Sequence, residues 1–262
     1  SDITVLSGDT ATTPVDPGTF SSRVTFYAGH ATRIAAREVK AQLAEVAAKL
    51  MEANAEDLVF RDKKVFVLGS PDRFIPFGDL VKQAEALGRG RLIIGKGEWS
   101  PPNAGFPDPK TWYGNVSGAY SFACQIAEVE VDIETGQVKV LNITIADDCG
   151  RVINRLGAEG QSEGSAAMGI GHALMEQIIF AKNGQILNPS FLEYKMPTNK
   201  DVCAVDTLEV GVPDPIGPYG AKEIGEGLLI ATVPAITNAS YNGVGVRITE
   251  LPVTPEKILE EL

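Results

Sequence analysis

The sequence has 262 residues, 44% apolar and 22% charged, a balance ordinary for a soluble globular protein whose core is built in one large domain or two small ones. Its formal net charge of −11, without any block of Lys or Arg, removes the electrostatic footprint of nucleic-acid binding and disfavours anionic membrane surfaces. No uninterrupted apolar run reaches the ~18 residues of a membrane span.

In chain order, DITVLSG at 2–8 reads as a strand, entered directly from Ser1 without a Met or a signal peptide. That start is the one expected of a fragment or a processed subunit. A Thr/Pro/Gly loop and SSRVTFYAG follow, then a helix from about His30 to Asn54. Ile34, Val39, Leu43, Val46, Leu50 and Met51 recur there at helical spacing, with charges on the opposite face. Strands are expected at Leu58–Arg61 and Lys64–Leu68 around a turn at Asp62-Lys63. A second helix should cover Pro76–Leu87, and Arg91–Trp99 reads as a strand. Residues 100–118, rich in Pro, Gly and Asn, read as a long irregular loop of the functional or linking kind.

The second half opens with strands at Tyr120–Asp132 and Gln137–Asp147, joined through Glu134-Thr135-Gly136, a hairpin signal. Ile126, Glu128, Glu130 and Asp132 alternate with Ala127, Val129 and Val131, so one face should be wet. A helix is expected from about Gly157 to Gln177, a hairpin or loop around Asn183-Gly184, and a strand at Val205–Val212. Two helices close the chain. One lies near Val233–Asn242, with Thr232 as N-cap candidate and Pro234 in the first turn; the other is short, at Pro255–Leu262. Without a regular βα alternation, these elements point to α+β, mixed sheets with packed helices. They make one domain over 1–262, divisible into sub-lobes of about 1–110 and 111–262.

Cys124, Cys149 and Cys203 are odd in number and far apart. They form neither a disulfide framework nor a CxxC metal or cluster site, and a reducing cytoplasm fits them. His30 and His172 are the only histidines. GQSEG at 160–164 fits the nucleophile-elbow pattern around Ser162, but His172, the only later histidine, falls ten residues on in the same expected helix. Ser162 is thereby left without a base. His172 and Glu176 have the i, i+4 spacing of a metal pair, yet no third ligand candidate lies near, and a helix-surface contact explains them.

The most distinctive stretch is 211–238, GVPDPIGPYGAKEIGEGLLIATVPAITN. Three prolines and three glycines in its first ten residues stiffen and turn the chain at fixed points. Lys222, Glu223 and Glu226 follow, set among Gly220, Gly225 and Gly227. Glu223 is a candidate ion-pair partner of Lys222. Glu226, between two glycines and ahead of an apolar segment, sits where a bulky ligand can approach the backbone closely. The alternative is a surface loop running into a helix.

GPYGAKEIGEG resembles the loop that carries the catalytic glutamate in the molybdenum hydroxylases, the xanthine oxidase/aldehyde oxidoreductase family. The Lys-Glu pair after Gly-Ala, with Gly-Glu-Gly, looks most like the 4-hydroxybenzoyl-CoA reductase branch. DDCGRVINRLGAEGQSEGSAAMGIGHALMEQ resembles the stretch in which a Gly-Gln pair opens a small-residue helix, and the family's cofactor-contacting glutamine maps onto Gln161. GTFSSRVTFYAGHA at 18–31 resembles the segment whose Ser and Arg donors line the pyranopterin and its phosphate, carried over onto Ser21, Ser22 and Arg23. An amide that donates and accepts suits a pterin edge. Tight helix packing explains the glycines and alanines at 164–171 equally well, and a capping cluster is the plain alternative for Ser21 and Ser22.

This resemblance implies a C-terminal molybdenum-cofactor-binding domain of a molybdenum-dependent oxidoreductase of the xanthine dehydrogenase type. Its substrate would be aromatic or N-heteroaromatic, an aryl-CoA included, and the reaction hydroxylation or reductive dehydroxylation. Glu226 would be the catalytic base. Ser21, Ser22, Arg23, Gln161 and Lys222 would be cofactor contacts, with no protein ligand to the metal; for Lys222 a structural salt bridge or a solvated side chain also stands. The implied cofactor is molybdopterin with molybdenum, alone or as its cytosine dinucleotide, with iron–sulfur clusters and FAD on partner subunits or domains. Because the family's upstream cofactor loops and cluster cysteines are absent, the chain should supply half of a site and be inactive alone. It should assemble in the cytoplasm with the rest of the molybdenum subunit and with iron–sulfur and flavin partners, without nucleic acid or membrane. A non-catalytic cofactor-binding or assembly module and an aldehyde-oxidising member of the same family are the other readings.

Overall fold

The computed structural model describes residues 4–16, 18–88 and 92–262, which form mixed helices and open sheets, the α+β class read from the sequence. Two compact units are present: Phe26–Gly118, and Ser1–Thr25 together with Ala119–Leu262.

In the Phe26–Gly118 unit, helix α1 (Val24–Met51) presents Leu43, Ala47 and Met51 to Leu58, Val65, Leu80 and Ala84. It begins at Val24 rather than His30. Strands β1 (Leu58–Arg61) and β2 (Lys64–Val67) pair antiparallel around Asp62-Lys63, whose φ values of 52° and 59° are those of a tight two-residue hairpin turn. Strand β3 (Ser70–Pro76), not expected from the sequence, adds to β2 as an edge. Pro71 and Asp72 disguise it, and an edge position tolerates both. Helix α2 (Phe77–Leu87) follows at once.

The strand expected at Arg91–Trp99 is not found. Arg91 lies outside the described residues, and 92–99 lack a strand partner among them. Helix α1 holds that segment instead: Gln42 Nε2 donates to the Ile94 carbonyl at 2.7 Å, and the Lys96 N–H donates to the Glu38 carboxylate at 2.8 Å. Trp99 stacks on buried His30 with ring centres 4.0 Å apart, and Phe26 meets it edge-on. One of the two histidines is thus core. Residues 100–118 carry no helix or strand, as expected.

In the second unit, β4 (Phe122–Val131) and β5 (Val138–Asp148) form a long antiparallel hairpin, and β6 (Ala204–Glu209) lies parallel to β5, in the order β4-β5-β6. Ile126, Glu128 and Glu130 face outward along β4, the alternation read from sequence. Val140, Ile143 and Ile145 of β5 pack with Ala166, Ile170 and Ala173 of α3 (Arg155–Leu174) and Leu228 and Ile236 of α4 (Glu226–Val244). A Cβ on Gly169 would fall 2.3 Å from Thr232 Cβ, so the small residues of α3 admit α4 at close range. Strand β6 stops short of Val212 because β5 has ended; the Val212 N–H turns to the Asp148 carboxylate instead, at 3.0 Å. Residues 4–8 form no strand, and Val5 and Leu6 are exposed. Helix α5 (Pro255–Glu261) closes the chain, capped by Thr254.

Candidate functional site

Helix α4 starts at Glu226, not at Val233. Thr232 is not its cap; it lies buried inside the helix with its hydroxyl on the Leu228 carbonyl at 3.4 Å, and Pro234 sits in the helix interior. The first N–H groups of a helix need partners from outside it. Here the Glu226 N–H donates to Ser22 Oγ at 2.8 Å, across 204 residues of sequence. No local cap signal marks the true start, so spacing alone could not find it.

The contact is reciprocated. The Ser21 N–H donates to Glu226 Oε1 at 3.3 Å. Ser21 and Ser22 hold φ at 52° and 55°, the left-handed region that costs most residues energy, and the turn so formed serves α4. Gly225 completes the junction at φ 147°, ψ −98°, where only glycine is comfortable. A Cβ there would lie 2.9 Å from Ser22 Oγ and 3.3 Å from Gln161 Oε1. Ser21, Ser22, Gln161 and Glu226, distant in sequence, therefore converge on one junction.

Beside it opens a cleft of about 340 Å³, whose lining includes Ser22, Thr25, Arg151, Asn154, Gln161 and Lys222. Asn154 caps α3, its side chain accepting the Gly157 N–H at 3.3 Å. Arg23 is not among these lining residues; its guanidinium donates to the Gly18 carbonyl at 3.4 Å and lies 5.0 Å from the Phe20 ring centre. Lys222 is buried, and its ammonium is paired with Asp148 Oδ2 at 2.6 Å. That partner replaces Glu223, the neighbour suggested by sequence. Glu223 is buried as well, whereas Glu226 is exposed.

Three acidic or thiol groups to which the sequence alone assigns no role gather at the end of β5. Burial pushes the Asp147 carboxyl up, against a hydrogen bond with Cys149, and the charges of Asp148 and Glu209 add to the rise. Asp148 is also opposed by burial, yet the Lys222 ammonium and the N–H groups of Gly150 and Val212 hold it below the usual carboxylate range. Burial, and then the Asp147 charge, push the Cys149 thiol up to about 12. Although Cys149 lines the cleft, it is a protonated thiol and no nucleophile. In the native protein at pH 8 it should resist iodoacetamide and become labelled only on unfolding, as peptide mass mapping would show; rapid native labelling would contradict this burial.

Ser162 is buried within α3 rather than standing on a strand-to-helix turn. Glu176 lies beyond the end of α3 and accepts the Tyr194 hydroxyl at 2.6 Å, which dissolves its pairing with His172. Among the described residues no three His, Cys, Asp or Glu side chains gather as a metal site. No helix among the described residues is long and apolar enough to cross a membrane.

Comparison with known proteins places the chain among its relatives. The profile of the molybdopterin cofactor-binding domain matches residues 1–203. The whole chain is similar to the xanthine dehydrogenase molybdenum-binding subunit of Escherichia coli O157:H7, 33% identical over 264 residues and covering 33% of it. Its fold is similar to that of reconstituted CO dehydrogenase from Oligotropha carboxidovorans, with a TM-score of 0.79 at 26% identity over 96% of this chain and 30% of that one. It is similar also to quinoline 2-oxidoreductase from Pseudomonas putida 86, with a TM-score of 0.78 at 27% identity over 92% and 30%. The chain spans about a third of the length of the relatives it matches. The Glu226 loop lies beyond the profile match but inside the alignment with the Escherichia coli subunit, which covers 100% of this chain. From sequence and fold together, the chain belongs to the molybdopterin-binding domains of the xanthine dehydrogenase, CO dehydrogenase and aldehyde oxidoreductase family.

Proposed function

We propose that this chain forms part of the active site of a molybdenum hydroxylase-type oxidoreductase, holding the cofactor with Ser21, Ser22, Arg23 and Gln161 and supplying Glu226 as general base. The observation that carries this reading is the junction itself: two serines in a left-handed turn, a glutamine from α3 and the first residue of α4 meet around a glycine without room for a side chain. The residues fit the group. Ser22 and Gln161 offer neutral donors and acceptors suited to a pterin edge, and a Cβ at 225 would fill the space between them. When bound, the cofactor supplies the two-electron redox centre.

The protein's own contribution is a fixed base. Glu226 is the first residue of α4, its N–H held by Ser22 Oγ. Ser21 anchors Oε1, which orients the carboxylate and leaves Oε2 as the proton acceptor. A positioned general base is worth roughly 10²–10⁴-fold in rate. Lys222 acts at one remove, since its ammonium is committed to Asp148.

We further propose an electron-poor aromatic or N-heteroaromatic carbon as the site of reaction. The name of the quinoline enzyme supports this class. The narrower aryl-CoA assignment rests on Lys222-Glu223 and Gly225-Glu226-Gly227 alone. A chain about a third the length of its relatives supplies half of the site, so the reading includes the remaining part of the molybdenum subunit and partners bearing iron–sulfur clusters and FAD. A reducing cytoplasm suits the free cysteines.

Elemental analysis of the intact complex, isolated through this chain, should find stoichiometric molybdenum together with iron. A complex without molybdenum would end the proposal. Within that complex Arg23→Ala should lower molybdenum occupancy, with total activity falling in proportion. Full occupancy with collapsed turnover would move Arg23 from cofactor holding to the chemistry.

A further inference from the structure

We infer that the part-buried Asp148–Lys222 pair is a strut that positions Glu226, acting through the loop rather than on any reacting atom. This rests on the assignment of Glu226 as the base. Strand β5 ends at Asp148, and the carboxylate there gathers three segments. Its Oδ2 accepts from the Lys222 ammonium at 2.6 Å, with side chains only 9% and 14% exposed for Lys222 and Asp148. Its Oδ1 accepts the N–H groups of Gly150 at 3.2 Å and Val212 at 3.0 Å.

Backbone bonds continue the attachment. The Lys222 N–H donates to the Cys149 carbonyl at 2.7 Å, the Arg151 N–H donates to the Gly220 carbonyl at 2.8 Å, and Gly150 and Ala221 form an antiparallel bridge. Only Glu223, Ile224 and Gly225 separate Lys222 from Glu226. Glu223 is buried, and Ile224 packs against the core shared by β5, α3 and α4. A shift at Lys222 therefore has little slack to absorb it before it reaches the carboxylate.

Glu226 is held from two sides. Ser21 and Ser22 bind its carboxylate and its N–H, while Asp148 and Lys222 fix where the loop enters α4. A buried ion pair is often no better for stability than apolar groups of equal size. Its stronger effect here is to allow one register of the loop against β5.

The test uses the intact complex with three variants: Lys222→Met, Lys222→Arg, and the double variant Asp148→Asn with Lys222→Met. In Lys222→Met, turnover should fall on the order of 10²-fold, the cost of a small misplacement of a reacting group. KM and molybdenum content should hold, and hydrogen exchange should quicken in the peptide covering 223–228. Lys222→Arg keeps the charge and should recover part of the loss. The double variant leaves no unpaired buried charge, so its thermal midpoint should return toward that of the unmodified complex while turnover stays low. Recovery of both midpoint and turnover in the double variant would reduce the pair to a structural contact and overturn the inference, as would unchanged turnover and exchange in Lys222→Met. Exchange is read without catalysis, so quickened exchange alongside normal turnover in Glu226→Gln would keep the strut and reject the base.

Discussion

Glu226→Gln in the intact enzyme should lower turnover by at least about 10²-fold while molybdenum content stays unchanged. The substitution isolates protonation from geometry. An amide oxygen at 226 can still accept the Ser21 N–H, and the backbone N–H of 226 can still donate to Ser22 Oγ. What disappears is the ability to take a proton. Glu223 is the control on the same loop. It is buried, against the exposed position of Glu226 at the head of α4, so Glu223→Gln should cost stability more than turnover. The measurement is the pair of single-variant rates with metal determined on the same samples. Near-normal turnover in Glu226→Gln, or a larger loss in Glu223→Gln, would refute the assignment.

Features written into neighbouring residues are legible in the sequence alone. The β4–β5 hairpin follows from alternation and one turn tripeptide, and the α3 stripe of small residues from its composition. The segments around Ser21–Arg23, Gln161 and Glu226 each carry their own motif. What stays hidden depends on partners far along the chain. Helix α4 begins seven residues before Val233 because its cap comes from Ser22, across 204 residues, while Thr232 offers a false local signal. The partner of Lys222 is Asp148, 74 residues away, whereas adjacency points to Glu223. Strand β3 is masked by Pro71 and Asp72, beside its turn and the register shift against β2. Conversely, 92–99 alternates in burial as a strand does yet is held by α1 side chains. Local pattern sets what a segment is able to form; the partner that arrives decides what it becomes.

Gly225 puts the convergence of the site to the strongest test, because Gly225→Ala changes one methyl group and challenges three contacts at once. The φ of 147° is foreign to alanine and by itself costs about 1–3 kcal/mol. The new Cβ would meet Ser22 Oγ at 2.9 Å and Gln161 Oε1 at 3.3 Å. The serine hydroxyl can rotate away only by releasing the Glu226 N–H, so relief of the clash removes the cap of α4. Loss of such a cap adds about 1 kcal/mol. If the loop relaxes instead, Gly225 and Glu226 move together, and the carboxylate leaves the Ser21 N–H. Either route displaces the base, and a small displacement of a reacting group is enough to cost on the order of 10²-fold in turnover. The expected result is a lower thermal midpoint, reduced molybdenum occupancy and a turnover loss comparable to that of Glu226→Gln, all in one complex. Gly227→Ala supplies the reference, since a Cβ there meets only Ser121 Oγ at 3.3 Å, and its effects should be clearly smaller. If the two alanine variants behave alike, or if Gly225→Ala retains both midpoint and turnover, Ser22, Gln161 and Glu226 do not meet around Gly225 in the working enzyme.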